Sequence, residues 1–192
     1  MSTELFPTFL KLAGRPVLVV GGGPVAASKL ASLLAAGAEV TVVAPEVVAE
    51  IERAGVRIER RPFAETDLDA AWFVVAAAPP AVNREVAQAA EQRHVFVNAV
   101  DDPASASAYL GGVVRKQGVT LAISTEGRAP ALAGLLREGL EALLPEELEG
   151  WLEVADRSRE VWKRDDVPMA SRRPQLLRAI NALYEAKAEV VS

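Results

Sequence analysis

Short apolar runs and amphipathic stretches alternate through the first hundred residues of this chain. The stretches at 17–20, 40–44, 56–60, 72–77 and 95–98 read as strands, and all but the charged 56–60 are mostly apolar, as buried strands are. The stretches at 25–36, 46–54 and 80–93 carry apolar residues at helical spacing. Gly37 and Gly55 stand just past the first two of these, where helices stop. Strands alternating with helices predict an α/β domain with a parallel sheet covered on both faces.

The pattern changes after Asp101. Residues 108–115 and 119–124 are β-rich and flank Lys116-Gln117-Gly118, which predicts a hairpin. Leu132, Leu135, Leu136, Leu140, Leu143 and Leu144 then recur on one helical face over 130–144. Pro145 restarts a helix that runs to about residue 163, residues 165–168 break it, and a last helix covers about 173–189. The expected organisation is a Rossmann-type parallel-sheet domain at 1–112, a hairpin-plus-helix segment at 113–145 and a small helical domain at 146–192. The middle segment is too small to bury its own Leu face. Two readings stand for that face: it packs on a second copy of itself, or it covers the sheet domain of its own chain.

The first predicted strand ends in Gly21-Gly22-Gly23-Pro24-Val25-Ala26. The spacing Gly21-x-Gly23-x-x-Ala26 is the dinucleotide fingerprint in its Ala-ending form. Gly21 allows the tight turn, Gly23 lets backbone approach a pyrophosphate, and Ala26 lets helix and strand pack closely. Pro24 suits the first helical turn, and the helix N-terminus favours phosphate. The alternative is a Gly-rich βα turn that binds nothing. The second strand ends in Ala44-Pro45-Glu46. Ala44 offers no carboxylate to a ribose and Glu46 is displaced from the usual place, while no Arg stands there to take a 2′-phosphate. The expected cofactor is therefore NAD rather than NADP.

Composition narrows the chemistry. There is no Cys and one His, His94, which excludes disulfides, thiol nucleophiles and Cys- or His-clustered metal sites; no metal is expected. His94 ends a helical stretch, where interaction with the dipole is the simplest account. The net charge of −5 argues against nucleic acid as a partner. No apolar run reaches the ~20 residues of a membrane span and no leader is recognisable, so a cytoplasmic protein is expected. Residues 1–150 carry 13 basic against 19 acidic side chains and residues 151–192 carry 8 against 7, so the tail is the less acidic part.

Asn98-Ala-Val-Asp101-Asp102-Pro103 follows the fifth predicted strand. Ligands of open α/β sheets bind outside the carboxyl ends of the strands, and hydride loss from carbon usually accompanies loss of a proton. Asp101 is the candidate base. The alternative is that Asp101 or Asp102 only opens the turn at Pro103. A short-chain dehydrogenase reading fails, because Tyr184 has Ala188 at the required spacing and Lys187 one position short. A methyltransferase with a similar Gly turn would also want an acid at the end of the second strand.

Three stretches, 19–29, 97–103 and 123–138, in this order and spacing resemble the siroheme synthase N-terminal family, the precorrin-2 dehydrogenases. Leu5-Phe6-Pro7 and Pro62-Phe63 resemble it too. The resemblance implies NAD-dependent oxidation of precorrin-2 to sirohydrochlorin, with ferrous iron insertion as a second activity in some members. It implies Asp101 as the essential aspartate and cofactor contacts at Gly21, Gly22, Gly23, Pro24, Val25, Pro45 and Glu46. It also implies a homodimer with a tetrapyrrole substrate, whose carboxylates Arg115, Lys116, Arg128 and Arg137 are candidates to hold, with Arg172 and Arg173 in the tail. Two departures stand out. Ala129 replaces a hydroxyl residue common in the family, and Ala108-Tyr109-Leu110-Gly111 replaces an aromatic-rich segment. The methyltransferase domain of the larger members is not expected after Ser192. The competing class is an NAD-sensing module without catalysis.

Overall fold

The computed structural model describes residues 4–190, and side chains as far as 185, so that of Lys187 lies outside the described residues. Two compact units emerge: residues 1–110 with 126–128, and residues 111–125 with 129–192.

The first unit is built on a five-stranded parallel sheet, from β1 (Pro16–Val20), β2 (Glu39–Val43), β3 (Arg57–Glu59), β4 (Phe73–Ala76) and β5 (Phe96–Ala99), in the order β3-β2-β1-β4-β5. The alternation along β1 sends Val17 and Val19 to one face and Leu18 and Val20 to the other, and both faces are buried. On the first face, α1 (Pro24–Ala35) contributes Ala26, Leu30 and Leu33, and α2 (Ala49–Arg53) contributes Ile51. On the second, α3 (Pro80–Gln92) contributes Val86, Ala89 and Ala90, joined by Leu68 from a single 3-10 turn. That burial is what the near-continuous Val runs of the strands require.

Both long helices end in the same way. After α1, the Gly37 and Ala38 N–H groups donate to the Leu34 and Leu33 carbonyls. After α3, those of His94 and Val95 donate to Glu91 and Ala90. This is the Schellman pattern. His94 occupies the left-handed position (φ 55°), so its backbone conformation ends the helix, whereas the sequence suggested a side-chain interaction with the dipole. Next to β3, Arg61 forms a two-pronged pair with Asp67 (2.8 and 2.6 Å). That hydrogen bond, with a smaller contribution from the Ala64 N–H, holds the Asp67 carboxyl below its ordinary range despite partial burial.

The second unit begins with a hairpin of β6 (Gly112–Lys116) and β7 (Val119–Ile123). Its two-residue loop has positive φ at both positions (Gln117 47°, Gly118 83°), the conformation that matches strand twist. Helix α4 (Pro130–Leu143) packs on β6, so closely that a Cβ on Gly112 would meet the Ala133 carbonyl. Helices α5 (Leu148–Arg164) and α6 (Met169–Val190) pair through Trp151 Nε1–H to the Tyr184 hydroxyl (3.0 Å) and Trp162 Nε1–H to Gln175 Oε1 (2.7 Å).

Several boundaries differ from the sequence reading for physical reasons. Helix α2 starts at Ala49, because residues 45–48 are drawn across the glycine turn by the Val48 N–H, which donates to the Gly22 carbonyl (2.8 Å). The β-rich stretch 108–115 is split: the Ser107 and Ala108 N–H groups bond the Val97 carbonyl in the first unit, and β6 begins only at Gly112. Helix α6 begins four residues before position 173 and takes Pro174 into its first turns.

Candidate active site

The sheet order reverses between β1 and β4, the crevice where such folds receive a ligand. The glycine turn lies at that point. Gly21 is at φ 124°, a conformation open to glycine, and a Cβ there would land on the Ala77 carbonyl at the end of β4. A Cβ on Gly22 would land on the Glu46 carbonyl. Gly21 and Gly22 are thus wedged against the loops after β4 and β2. Gly23 is different: nothing lies within 4 Å of a Cβ built on it. Its carbonyl accepts the first helical bond, from the Ala27 N–H (3.1 Å), which leaves the Val25 and Ala26 N–H groups ahead of it without an intrahelical acceptor. No acidic side chain occupies the first turn of α1, and the turn has no side-chain cap. Open space above Gly23, free donors and the positive end of a helix fit a dinucleotide pyrophosphate. Pro24 and the 45%-exposed Val25 stand at the rim, and Pro45 and Glu46 are exposed on the loop that covers Gly22.

Asp101 lies past the end of β5, two strands from the glycine turn. It is exposed and held in the left-handed conformation (φ 57°). Its carboxylate makes no hydrogen bond or ion pair among the described residues. Asp102, next to it, accepts the Ser105 hydroxyl (2.7 Å) and shapes the turn into Pro103. Asp102 thus shapes the turn into Pro103, whereas the Asp101 side chain makes no such bond among the described residues. Asn98 is buried, and its Nδ2 donates to the Ala108 carbonyl (3.0 Å). The Ser107 hydroxyl accepts the Val97 N–H (2.9 Å), and the Tyr109 hydroxyl donates to the Pro103 carbonyl (3.0 Å). The segment 126–128 returns to this unit, with Gly127 beside the Pro103 and Tyr109 side chains. Two of the three stretches that carry the resemblance therefore meet around the Asp101 loop.

The basic candidates separate by what they already hold. Arg128 belongs to the first unit, is exposed and has no ion pair or hydrogen bond among the described residues. Arg115, on β6 in the second unit, is likewise exposed and unpaired. Lys116 caps the end of α4: its Nζ donates to the Leu144 carbonyl (2.9 Å) and pairs with Glu146 (2.6 Å). Arg137 pairs with Glu138 and Glu141 on its own helix. Arg172 donates to the Val167 carbonyl (2.9 Å), while Arg173 is exposed. A cleft of about 700 Å³ lined by Pro16, Glu39 and Arg57, among others, contains none of these candidates.

Sequence reasoning gave no part to Asn83, Ala77 or Ala78. Asn83 is 3% exposed on the stripe of α3 that also buries Val86, Ala89 and Ala90. A polar side chain on a core stripe was the available signal.

A five-stranded parallel sheet with a glycine turn at its switch point defines a Rossmann-type dinucleotide-binding domain. The chain belongs to the siroheme synthase N-terminal family. An NAD(P)-binding family model, NAD_binding_7, matches residues 8–112. Siroheme synthase 3 of Aeromonas hydrophila is 43% identical over 175 residues, 88% of this chain and 37% of that protein. The siroheme synthase of Zymomonas mobilis is 38% identical over 96% of this chain and 40% of that protein. The chain thus spans about two fifths of the length of these curated relatives. The solved structure of SirC, precorrin-2 dehydrogenase, superposes with a TM-score of 0.70 at 29% identity, covering 92% of this chain and 89% of that one.

Proposed function

We propose that this chain is an NAD-dependent precorrin-2 dehydrogenase, with Asp101 as general base. The observation that carries the reading is the likeness to the precorrin-2 dehydrogenase SirC over nine tenths of both chains. The unengaged Asp101 carboxylate past the end of β5 supports it. Gly21, Gly22, Gly23, Pro24 and Val25 would hold the pyrophosphate half of NAD, with Pro45 and Glu46 toward the adenosine ribose. Bound there, NAD would supply the two-electron acceptor for the hydride that a ring carbon of precorrin-2 loses, with NADH as the reduced product. Asp101 takes the accompanying proton, so two electrons and two protons leave the substrate. Arg115 and Arg128, each without an ion pair among the described residues, are candidates for the substrate carboxylates. Lys116 and Arg137 would have to give up existing partners first. The non-catalytic NAD-sensing alternative draws no support from the comparisons.

The test is optical. Incubating the protein with precorrin-2 and NAD should convert the tetrapyrrole spectrum to that of sirohydrochlorin, with NADH formed in equal amount. No spectral change above a protein-free control overturns the reading.

The same reading takes the protein to be a cytoplasmic homodimer. Only four apolar residues of the second unit are buried among the described ones: Val114, Ala133, Leu148 and Val154. Leu135 and Leu143 on α4 are 68% and 78% exposed, and Leu132 and Leu136 are exposed beside them. A second copy of that face is the simplest cover. Sedimentation equilibrium should report a dimer that Leu135→Glu shifts toward monomer. A wild-type monomer at micromolar concentration overturns this.

A further inference from the structure

Asn83 joins the carboxyl ends of two strands with one side chain. It lies in the first turns of α3, is 3% exposed, and projects into the space between the loops that leave β4 and β5. Its Oδ1 accepts the Ala78 N–H (2.9 Å), and its Nδ2 points to the Val100 carbonyl (3.5 Å). Each partner has a further attachment. Ala78 follows Ala77, whose carbonyl stands where a Cβ on Gly21 would be and whose N–H bonds the Val20 carbonyl (2.8 Å). Val100 bonds the Ala76 carbonyl through its own N–H (2.9 Å) and directly precedes Asp101. One buried amide thus joins the loop after β4, which abuts Gly21, to Val100, the residue before Asp101.

That placement answers a mechanical need. Asp101 is held at φ 57°, a left-handed conformation that Asp adopts more readily than most non-glycine residues but that the loop still has to fix. The Asp102 N–H supplies one restraint, a long bond of 3.4 Å to the Ala99 carbonyl. Proton transfer depends steeply on the distance between base and reacting carbon, and displacement by about 1 Å can cost on the order of a hundredfold. An Asn is also a costly choice for a core stripe unless its amide is used, since a buried amide without partners is destabilising.

We propose that Asn83 is a positioning residue for the dehydrogenation: it fixes the loop bearing Asp101 relative to the dinucleotide turn. This rests on Asp101 acting as the base. The test is a double-mutant cycle of Asn83→Ala and Asp101→Asn, read in kcat, in the pH profile of kcat and in NAD affinity. Asn83→Ala should lower kcat by about ten- to a hundredfold and change NAD affinity by less than about threefold. In the Asp101→Asn background the same substitution should cost less than about twofold, because the group it positions has gone. The pH profile of Asn83→Ala should lose or shift its acidic limb.

An equal loss of kcat in both backgrounds, or a wild-type kcat in Asn83→Ala, overturns the proposal. Where Asn83→Ala does not fold, Asn83→Asp keeps the volume and the acceptor for Ala78 but, when ionised, offers no donor to Val100. It should reproduce the kcat loss with NAD binding retained, and wild-type kcat in it overturns the proposal too. The wild-type control separates the layers: no turnover of precorrin-2 by the wild type overturns the dehydrogenase reading, whereas turnover with no effect of Asn83 overturns this inference alone.

Discussion

Asp101→Asn should bind NAD as the wild type does and oxidise precorrin-2 at least about a hundredfold more slowly, the usual loss when a general base is removed. The choice of Asn follows from the backbone. At φ 57° Asn is among the few residues that sit comfortably, so this variant removes the negative charge and leaves the loop in place. Ala there would add strain and blur the result. Asp102→Asn is the matched control. Its carboxylate accepts the Ser105 hydroxyl, a bond a side-chain amide oxygen can also accept, so its kcat should stay within about fivefold of wild type. Single-turnover absorbance measurements with saturating NAD check both. Asp101→Asn turning over within threefold of wild type would remove Asp101 from the chemistry and send the search to another group near the switch point.

The three glycines of the turn should fail in different ways when changed to Ala. Gly21→Ala places a methyl group on the Ala77 carbonyl and forces φ 124° on an L-residue, so it should cost about 3 kcal/mol of stability or more. Gly22→Ala meets the Glu46 carbonyl and should also destabilise, by displacing the 45–48 loop that crosses the turn. Gly23→Ala meets nothing in the protein. It should fold with a near-normal melting temperature and lose NAD affinity by more than about tenfold, because the methyl group takes the space the pyrophosphate needs. Thermal melts and NAD titrations on the three variants separate these outcomes. A Gly23→Ala protein that binds NAD normally would place the cofactor elsewhere.

The parts of the fold most legible in the sequence were those governed by local rules. Val-rich runs marked β1, β2 and β4, because a strand buried on both faces has to be largely apolar, whereas the edge strand β3, Arg57-Ile58-Glu59, is only partly buried. Gly37 marked the end of α1 for a similarly local reason. What was not legible depends on which backbone lies beside which. Residues 46–48 carry a helical pattern, but the Gly22 carbonyl captures the Val48 N–H and Val48 is extended, so the helix starts only at Ala49. Residues 108–110 are β-rich, yet the buried Asn98 and Val97 draw their start into the first unit. Lys116 reads as a free cation until the end of α4 is seen to lie beneath its Nζ. Asp101 could be nominated from its position after β5, whereas its difference from Asp102 required the Ser105 bond. Asn83 opens the buried stripe of α3, and its bonds to Ala78 and Val100 depend on where the loops after β4 and β5 lie.

The return of residues 126–128 to the first unit has a practical consequence for anyone dissecting this protein. The backbone passes from one unit to the other after residue 110, comes back at 126 and leaves again after 128. A fragment cut at residue 112, where the NAD(P)-binding family match ends, would keep every strand of the parallel sheet and discard Gly127 from beside Pro103 and Tyr109. Such a piece would keep the dinucleotide turn while its Asp101 loop lost a neighbour. Cofactor binding and turnover would then be separated by a truncation that touches neither the glycines nor the aspartate.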